Sequence, residues 1–539
     1  MPMLKPLIYG LTLLCLVIPL GAYMSWVFNH PNHQKLPKTI HRWCGINPHQ
    51  NMHWTQYAQS MLWFNGLGVL LTYGILRLQC WLPFNPQHLA TPTPFVSLIT
   101  SMGFVTNTDW QSVGFEQTFG YGVQMLGLIT QNFLSAATGL SVLMAFTRGL
   151  VGEQQDHLGN FWVDITRGIL YVLLPLAFIF AIILVSLGVV QSLNANTIIT
   201  PLQTSTDNII PQGPVASQVA ISQLGTNGGG FFNVNAAHPL ANPTPLTNFL
   251  EMIAILLIPM SLCYTFGRMV SDERQGFMML ITMIILFGLF FSSAMYFEQQ
   301  DNLEGKETRF GIADSVLWSI ATTASGSGST NVNLDSLTPM AKGFALWLMQ
   351  LGEVVFGGVG TGLLGMLMLV IMTVFLAGLM VGRTPEYLGK KIEPFEMKMA
   401  CIAILMMPVL VLITTASTVI VTPTNTHEFF AILYAWTSMT ANNGSALTGF
   451  ETNTMYYSIT GCILMFWGRF GTIIPMLAMA GALAQKKKRP INAGTLSTHS
   501  TLFIGLLTTT ILIISALAFL PAQALGPIAL QLLLGVSHG

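Results

Sequence analysis

Ten stretches of this chain are apolar over about 20 residues or more, the length an α-helix needs to cross a bilayer. They run 6–28, 57–82, 119–146, 168–193, 246–267, 276–297, 343–382, 399–421, 452–485 and 502–521. The chain has 21 basic and 21 acidic side chains among 539 residues, far below the roughly 25% charged residues of a soluble domain. No water-facing surface can be built from so few charges. A soluble enzyme, a disordered scaffold and a nucleic-acid binder, which needs clustered Lys and Arg, are all excluded. The expected fold class is an all-α polytopic membrane protein with about ten transmembrane helices. The first stretch is longer than the roughly 7–15 apolar residues of a signal peptide, and no small-residue cleavage site follows it, so it reads as a retained helix. Stretches 343–382 and 452–485 exceed one straight crossing at about 1.5 Å per residue. Each must tilt, extend past the membrane, or break. The six cysteines are scattered without a CxxC pair and frame neither a disulfide scaffold nor a zinc site.

Alternate loops collect the positive charge. Segments 29–56, 147–167, 268–275, 383–398 and 486–501 hold 15 of the 21 basic residues, which places them on the cytoplasmic side and both termini outside. The outer segments keep four bases against eleven acids. Such a negative face raises the local cation concentration, or is simply a solvated surface.

Four outer segments share one pattern. Each has a short apolar stretch, too short to span, followed at once by small polar residues and glycine. The first runs through FVSLITSMGF into Val105, Thr106, Asn107 and Thr108. The second runs through VASQVAISQL into Thr226, Asn227, Gly228 and Gly229. The third runs from Asp314 through SVLWSIATTA into Ser327, Gly328 and Ser329, and the fourth through HEFFAILYAWTSM into Asn442, Asn443 and Gly444. Counted from Asn107 to Gly228, Gly328 and Gly444, the spacings are 121, 100 and 116 residues. The repeat unit is helix, re-entrant half-helix, extended polar segment, helix, with one extra helix at each end of the chain. The expected divisions are 1–56, 57–150, 151–275, 276–398, 399–485 and 486–539. Non-helical backbone at membrane depth is tolerated only inside protein or around a watery cavity. Four such segments can surround one axis and turn carbonyl oxygens inward to replace an ion's hydration shell. Their half-helices would aim C-termini, each about −0.5 charge, at the cavity.

Several runs now point to a family. TNTDWQ (106–111), QLGTNGGGFFN (223–233), MQLGEVVFGGVGTGL (349–363), GLMVGRTPEYLGKKI (378–392), ANNGSA (441–446) and GRFGTIIP (468–475) resemble the potassium-binding subunit of the bacterial Kdp-type potassium-transporting ATPase. That subunit belongs to a superfamily of potassium transporters built from four channel-like repeats. The resemblance implies a non-catalytic pump component of the bacterial inner membrane. It would select potassium outside and pass it to a separate P-type ATPase subunit that uses the ATP. A third subunit, a small single-span subunit and membrane lipid are the other implied partners, with potassium as cargo and no covalent cofactor. Consistently, the chain has no DKTGT motif and no GxxxxGK[ST] loop. It departs from the family twice. Asp109 replaces the second asparagine of TNTNW, and residues 326–331 read GSGSTN where the family usually has SCGAVN. Asp109 and Gln111 are expected at the filter mouth, and the first segment lacks a filter glycine, as is usual in this family.

Charges within spans are functional candidates by default. Arg469 lies in the fourth exit helix; the resemblance puts it below the filter, as a block to ion passage or a brace for helix ends. Glu353 precedes Gly357, Gly358, Gly360 and Gly362 in the long third exit helix, where such glycine density means either a break or close helix packing. The resemblance makes this segment a gating loop. Lys486–Arg489 reads as an orientation anchor, residues 383–386 as a cytoplasmic turn, and His238 as a loop-structuring residue. Rival readings are a self-sufficient potassium channel or symporter, an intramembrane enzyme, which lacks any convergent nucleophile or metal motif, and a purely structural subunit, which leaves four polar re-entrant loops unexplained.

Overall fold

With no water to bond to, an apolar segment satisfies its backbone only as a helix, and helices fill the expected stretches. The computed structural model describes residues 4–29, 35–200, 208–298, 303–422, 424–448, 450, 454–490 and 496–537. Helix α1 (Leu4–Asn29) precedes the repeats. The first repeat comprises α2 (Trp54–Arg77), the half-helix α3 (Pro94–Val105) and α4 (Tyr121–Val151). The second comprises α5 (Phe161–Ser186), α6 (Val215–Leu224) and α7 (Pro245–Met269). The third has α8 (Glu273–Phe297), α9 (Ile312–Ser325) and an exit helix in two pieces, α10 (Pro339–Gln350) and α11 (Thr361–Val381). The fourth has α12 (Pro394–Val421), α13 (Thr426–Ala441) and α14 (Met455–Ala484), and α15 (Thr501–Leu533) follows. Among the described residues nine helices are long and apolar enough to cross a membrane. The tenth expected span is α2, which is helical over 24 residues but less apolar.

The half-helices α3, α6, α9 and α13 have 12, 10, 14 and 16 residues. At about 1.5 Å per residue each falls short of the roughly 30 Å hydrocarbon core. The two overlong stretches resolve differently. Stretch 343–382 is interrupted between Gln350 and Thr361, whereas 452–485 is one 30-residue helix that carries Pro475 without a break.

The end helices lean on different repeats. Along α7, α1 lies so close that a Cβ on Gly21 would come within 2.6 Å of the Ser261 carbonyl. Thr265 Oγ1 donates to Gly21 O at 3.1 Å, and Tyr9 Oη to Met252 O at 2.9 Å. Against the broken third exit, α15 is held by Trp347 Nε1 donating to Ser515 Oγ (3.0 Å) and Gln523 Nε2 to Gln350 Oε1 (2.6 Å).

On the side of the basic loops, one lysine gathers three repeats. Lys390 is fully buried. Its Nζ donates to Gly149 O (2.8 Å) and Leu483 O (2.6 Å), and also to Gly152 O, so one ammonium satisfies carbonyls at the C-terminal ends of α4 and α14. The favourable dipole ends of both helices hold it there. The basic tract is docked rather than free. Lys486 pairs with Glu396 (2.8 Å) and Glu393 (3.2 Å), and Arg489 with Glu386 (3.6 Å). It is a strap across the 383–396 turn, a role the charge pattern alone did not disclose. Replacing Lys390 with Met keeps the bulk and orphans those carbonyls. At about 1–3 kcal/mol for an unsatisfied buried group, Lys390→Met is expected to lower stability by about 2 kcal/mol or more. The thermal midpoint of the purified chain, against Lys487→Met as a surface control, checks this.

Candidate functional site

All four half-helices end in the same way. The N–H of Thr108 donates to Gly103 O (2.9 Å), Asn227 to Ser222 O (2.8 Å), Ser327 to Thr322 O (3.1 Å) and Asn443 to Ser438 O (2.8 Å). Each is a bond spanning five residues, the closure that turns the chain out of a helix through a left-handed residue. The residues before them are left-handed accordingly: Asn107 (φ 67°), Thr226 (51°), Gly326 (69°) and Asn442 (59°). Thr226 is β-branched, so its backbone is strained; its hydroxyl donates to Gly225 O (2.7 Å) and accepts from Val359 N (3.0 Å).

This closure sets the true register. The residues opposite Gly228, Gly328 and Gly444 are led by Asp109, not Asn107, two residues earlier in the chain. The sequence count went astray because the first segment has no glycine to mark the position. Asp109 takes a glycine's conformation (φ 49°) and is fully buried. It is therefore not a water-facing acid at a mouth. Asn132 Nδ2, in the amide orientation that satisfies both groups, donates to Asp109 Oδ2 at 2.9 Å. Gln111 lies further out, donating to Gly230 O at 3.0 Å.

The four segments meet at one place. A Cβ on Gly228 would press on the carbonyl oxygens of Thr108 (2.6 Å), Ser327 (2.7 Å) and Asn443. Gly328 stands against the Asn443 carbonyl and Gly444 against that of Thr108. Side chains tie each neighbouring pair. Asn107 Nδ2 donates to Thr226 O (2.7 Å), and Asn227 Nδ2 returns to Asn107 Oδ1 (2.9 Å). Ser329 Oγ donates to Gln223 Oε1 (3.0 Å), Asn443 Nδ2 to Thr322 O (2.9 Å), and Asn442 Nδ2 to Thr108 Oγ1 (2.9 Å). The ties run one to two, two to three, three to four and four to one, which closes a ring. Val105 and Thr106 end α3 beneath it, and Gly229 packs against Asp109, 2.9 Å from its carbonyl oxygen to a Cβ.

Directly below lies the break in the third exit helix. Gly357 N donates to Ala324 O (3.0 Å), Val359 N reaches Thr226, and the Glu353 carboxyl sits where a Cβ on Gly326 would fall. Gly357 and Gly360 have positive φ (64° and 86°), and Gly362 abuts the Phe356 carbonyl, so break and close packing occur together. Gly358 lies beside Thr361 Oγ1. Arg469 is buried, donating from Nη1 to Thr361 Oγ1 (3.2 Å) and from Nη2 to Ser135 O (3.1 Å). A cavity of about 440 Å³ starts at Asn442, Glu353 and Arg469. It continues between α11, α12 and α15 past Met407 and Phe519 to Leu405 and Leu517 on the bundle surface. His238 stacks on Phe232 at 3.6 Å, structuring its loop.

Sequence reasoning missed Glu251, a second carboxyl within a span beside Glu353, fully buried in α7; the charge itself was the available signal. Ser135, Asn132 and Thr361 carry no signal of their own, being small polar residues common in membrane helices.

The comparisons with known proteins are consistent along the chain. The family model described as potassium-transporting ATPase A subunit (KdpA) matches residues 7–532. Curated relatives include the potassium-transporting ATPase potassium-binding subunits of Sorangium cellulosum, 48% identical over 97% of this chain and 98% of that one, and of Herpetosiphon aurantiacus, 49% identical over 98% of each. Among solved structures, the potassium transporter TrkH from Vibrio parahaemolyticus aligns with a TM-score of 0.54 at 13% identity, covering 87% of this chain and 96% of that one. At that identity the likeness is one of fold.

The convergence makes Gly328 sensitive to a single methyl group. At φ 74°, with a Cβ that would lie on the Asn443 carbonyl and 2.9 Å from Gly228 Cα, Gly328→Ala meets both strain and collision. Gly382 has φ 71° with open space around it, so Gly382→Ala carries only the strain of about 1–2 kcal/mol. Thermal unfolding is expected to show a clearly larger loss for Gly328→Ala.

Proposed function

The chain belongs to the family of potassium-transporting ATPase A subunits, and from that premise we propose that it binds extracytoplasmic potassium in a carbonyl filter and hands it sideways to a separate P-type ATPase subunit. The observation that carries the reading is the meeting of Thr108, Ser327 and Asn443 carbonyl oxygens around Gly228. Oxygens held in such a ring replace an ion's hydration shell. Val105, Thr106, Asn107, Thr226, Asn227, Gly229, Gly328, Ser329, Asn442 and Gly444 then shape or brace the filter, and the Asp109 carboxyl braces its first segment from behind through Asn132, with Gln111 further out.

Below the filter, Glu353 and the Gly357, Gly358, Gly360 and Gly362 loop form a gate, and Arg469 is the barrier. A guanidinium repels a cation by about 4 kcal/mol at about 4 Å for an effective dielectric of about 20. The cavity between α11, α12 and α15 supplies the lateral route. ATP hydrolysis falls to the partner subunit, with a third subunit and a small single-span subunit completing the complex. The setting is the bacterial inner membrane, with both termini outside and lipid around the bundle.

Potassium is expected to raise the thermal midpoint of the purified chain while sodium leaves it unchanged; equal effects of the two ions would remove the filter reading. Gly228→Asp puts bulk and charge among the carbonyls, so it should weaken potassium binding and let sodium, rubidium and caesium compete better. An unchanged affinity and ion ranking in the folded variant would take Gly228 out of the filter. Arg469→Gln keeps hydrogen bonding and deletes the charge. It is expected to bind potassium normally and to raise ATP-independent flux in reconstituted vesicles. Lost thermal stability without a leak would make the arginine a brace.

A further inference from the structure

Behind the third segment, four buried side chains line up between the filter and the interior of α7. Ser327 and Ser329, on either side of Gly328, face the same way, with Oγ atoms 3.2 Å apart. Ser329 Oγ donates to Gln223 Oε1 at 3.0 Å, and Gln223 Nε2 donates to Glu251 Oε2 at 3.4 Å. All four residues are at most 2% exposed. The other carboxyl oxygen, Glu251 Oε1, is buried without a hydrogen-bond partner, which leaves Gln223 as the carboxyl's hydrogen-bond partner among the described residues.

The directions of these bonds are fixed by chemistry. Gln223 Oε1 carries no hydrogen, so Ser329 must spend its proton there. Ser329 can then only accept from Ser327, and Gln223 is left with its N–H groups for the carboxyl. Every donor in the row points away from the filter, and Glu251 ends the row as an acceptor. The first residue of the row, Ser327, is the one whose carbonyl oxygen meets Gly228. Chains of buried hydrogen bonds reinforce one another and are costly when one partner is lost.

We infer that Glu251 is a positioning residue for potassium selection, the terminal acceptor of a relay through Gln223 and Ser329 that holds the Ser327 carbonyl in its place on the axis. This rests on the reading of the four segments as a potassium filter. The relay is also the tie between the second and third segments of the ring, so its loss frees one side of the carbonyl cluster to relax around ions of other sizes. Glu251 touches no ion; it acts through the serines.

The test uses the purified full chain with competition of sodium, rubidium and caesium against potassium. Glu251→Met fills about the same space without an acceptor and leaves the Gln223 N–H unpaired, so Ser329→Ala carries the test should the Met variant fail to fold. Its potassium affinity is expected to fall about tenfold, the effect of about one net buried hydrogen bond, with a narrowed preference over sodium and rubidium. Glu251→Gln keeps an acceptor oxygen and should retain wild-type affinity and ranking. Ser329→Ala should reproduce the Met variant's loss, and the double variant Glu251→Met with Ser329→Ala should be no worse than either alone. A folded Glu251→Met with unchanged affinity and ranking overturns the inference. So do losses that add in the double variant, or a Gln variant as impaired as the Met variant. Failure of the filter reading looks different: the wild-type chain would then show no potassium preference, or Gly228→Asp would leave it intact.

Discussion

Four stretches of irregular backbone sit where a bilayer offers no water, and their polar groups must be satisfied from within the protein. The ring of side-chain amides and hydroxyls joining the segments meets that demand. Asn107, Asn227, Asn442 and Asn443 each send an amide N–H to a neighbouring segment or helix end. An asparagine amide reaches about as far as one residue of backbone, so these side chains act as short cross-bridges between loops that are not paired as strands. The carbonyl oxygens of Thr108, Ser327 and Asn443 are the ones that these bridges bring together around Gly228.

The same economy extends downward. The broken exit helix gives up backbone bonds between Gln350 and Thr361, and its free N–H groups at Gly357 and Val359 go to Ala324 and Thr226 at the bases of the third and second segments. The loop is thereby fastened to the filter segments directly. A shift of the loop has to break bonds to them, and a shift in them pulls on the loop. Arg469 is held from two further elements, Ser135 on α4 and Thr361 at the start of α11, so the positive charge stands at a junction of three repeats.

Much of this was legible in the residues. Apolar length disclosed the helices, and the short apolar runs followed by Thr, Asn and Gly disclosed the re-entrant segments. The forty residues from 343 to 382 demanded a tilt, an extension or a break, and the structure has the break, between Gln350 and Thr361. What failed was register in the first segment. Glycine is the usual marker of a left-handed turn, and Asp109 fills that place without being one. The hydrogen bond from Thr108 N to Gly103 O, not the composition, identifies the equivalence. Lys390 and Lys486 were invisible for another reason. A basic residue in a loop looks the same whether it faces water or, like Lys390, caps two helices inside the protein. Glu251 was visible as a charge within a span, but its route to the filter passes through Gln223 and Ser329, and nothing in the spacing brings those three together.

Repetition builds the ring, and beneath it the repeats differ. Here the third exit alone among the described repeats is split, α14 alone supplies an arginine beneath the ring, and the cavity leaves on the side where those two repeats meet α15. The extra helix α15 is packed onto the broken exit, through Trp347, Ser515, Gln350 and Gln523, and so forms one wall of that cavity. The supports behind the ring differ as well: a carboxyl at Asp109 with Asn132 behind the first segment, and a row of hydrogen bonds to Glu251 behind the third. Pseudo-symmetry thus sets where the carbonyls converge, and its local violations set where the cavity beneath them opens.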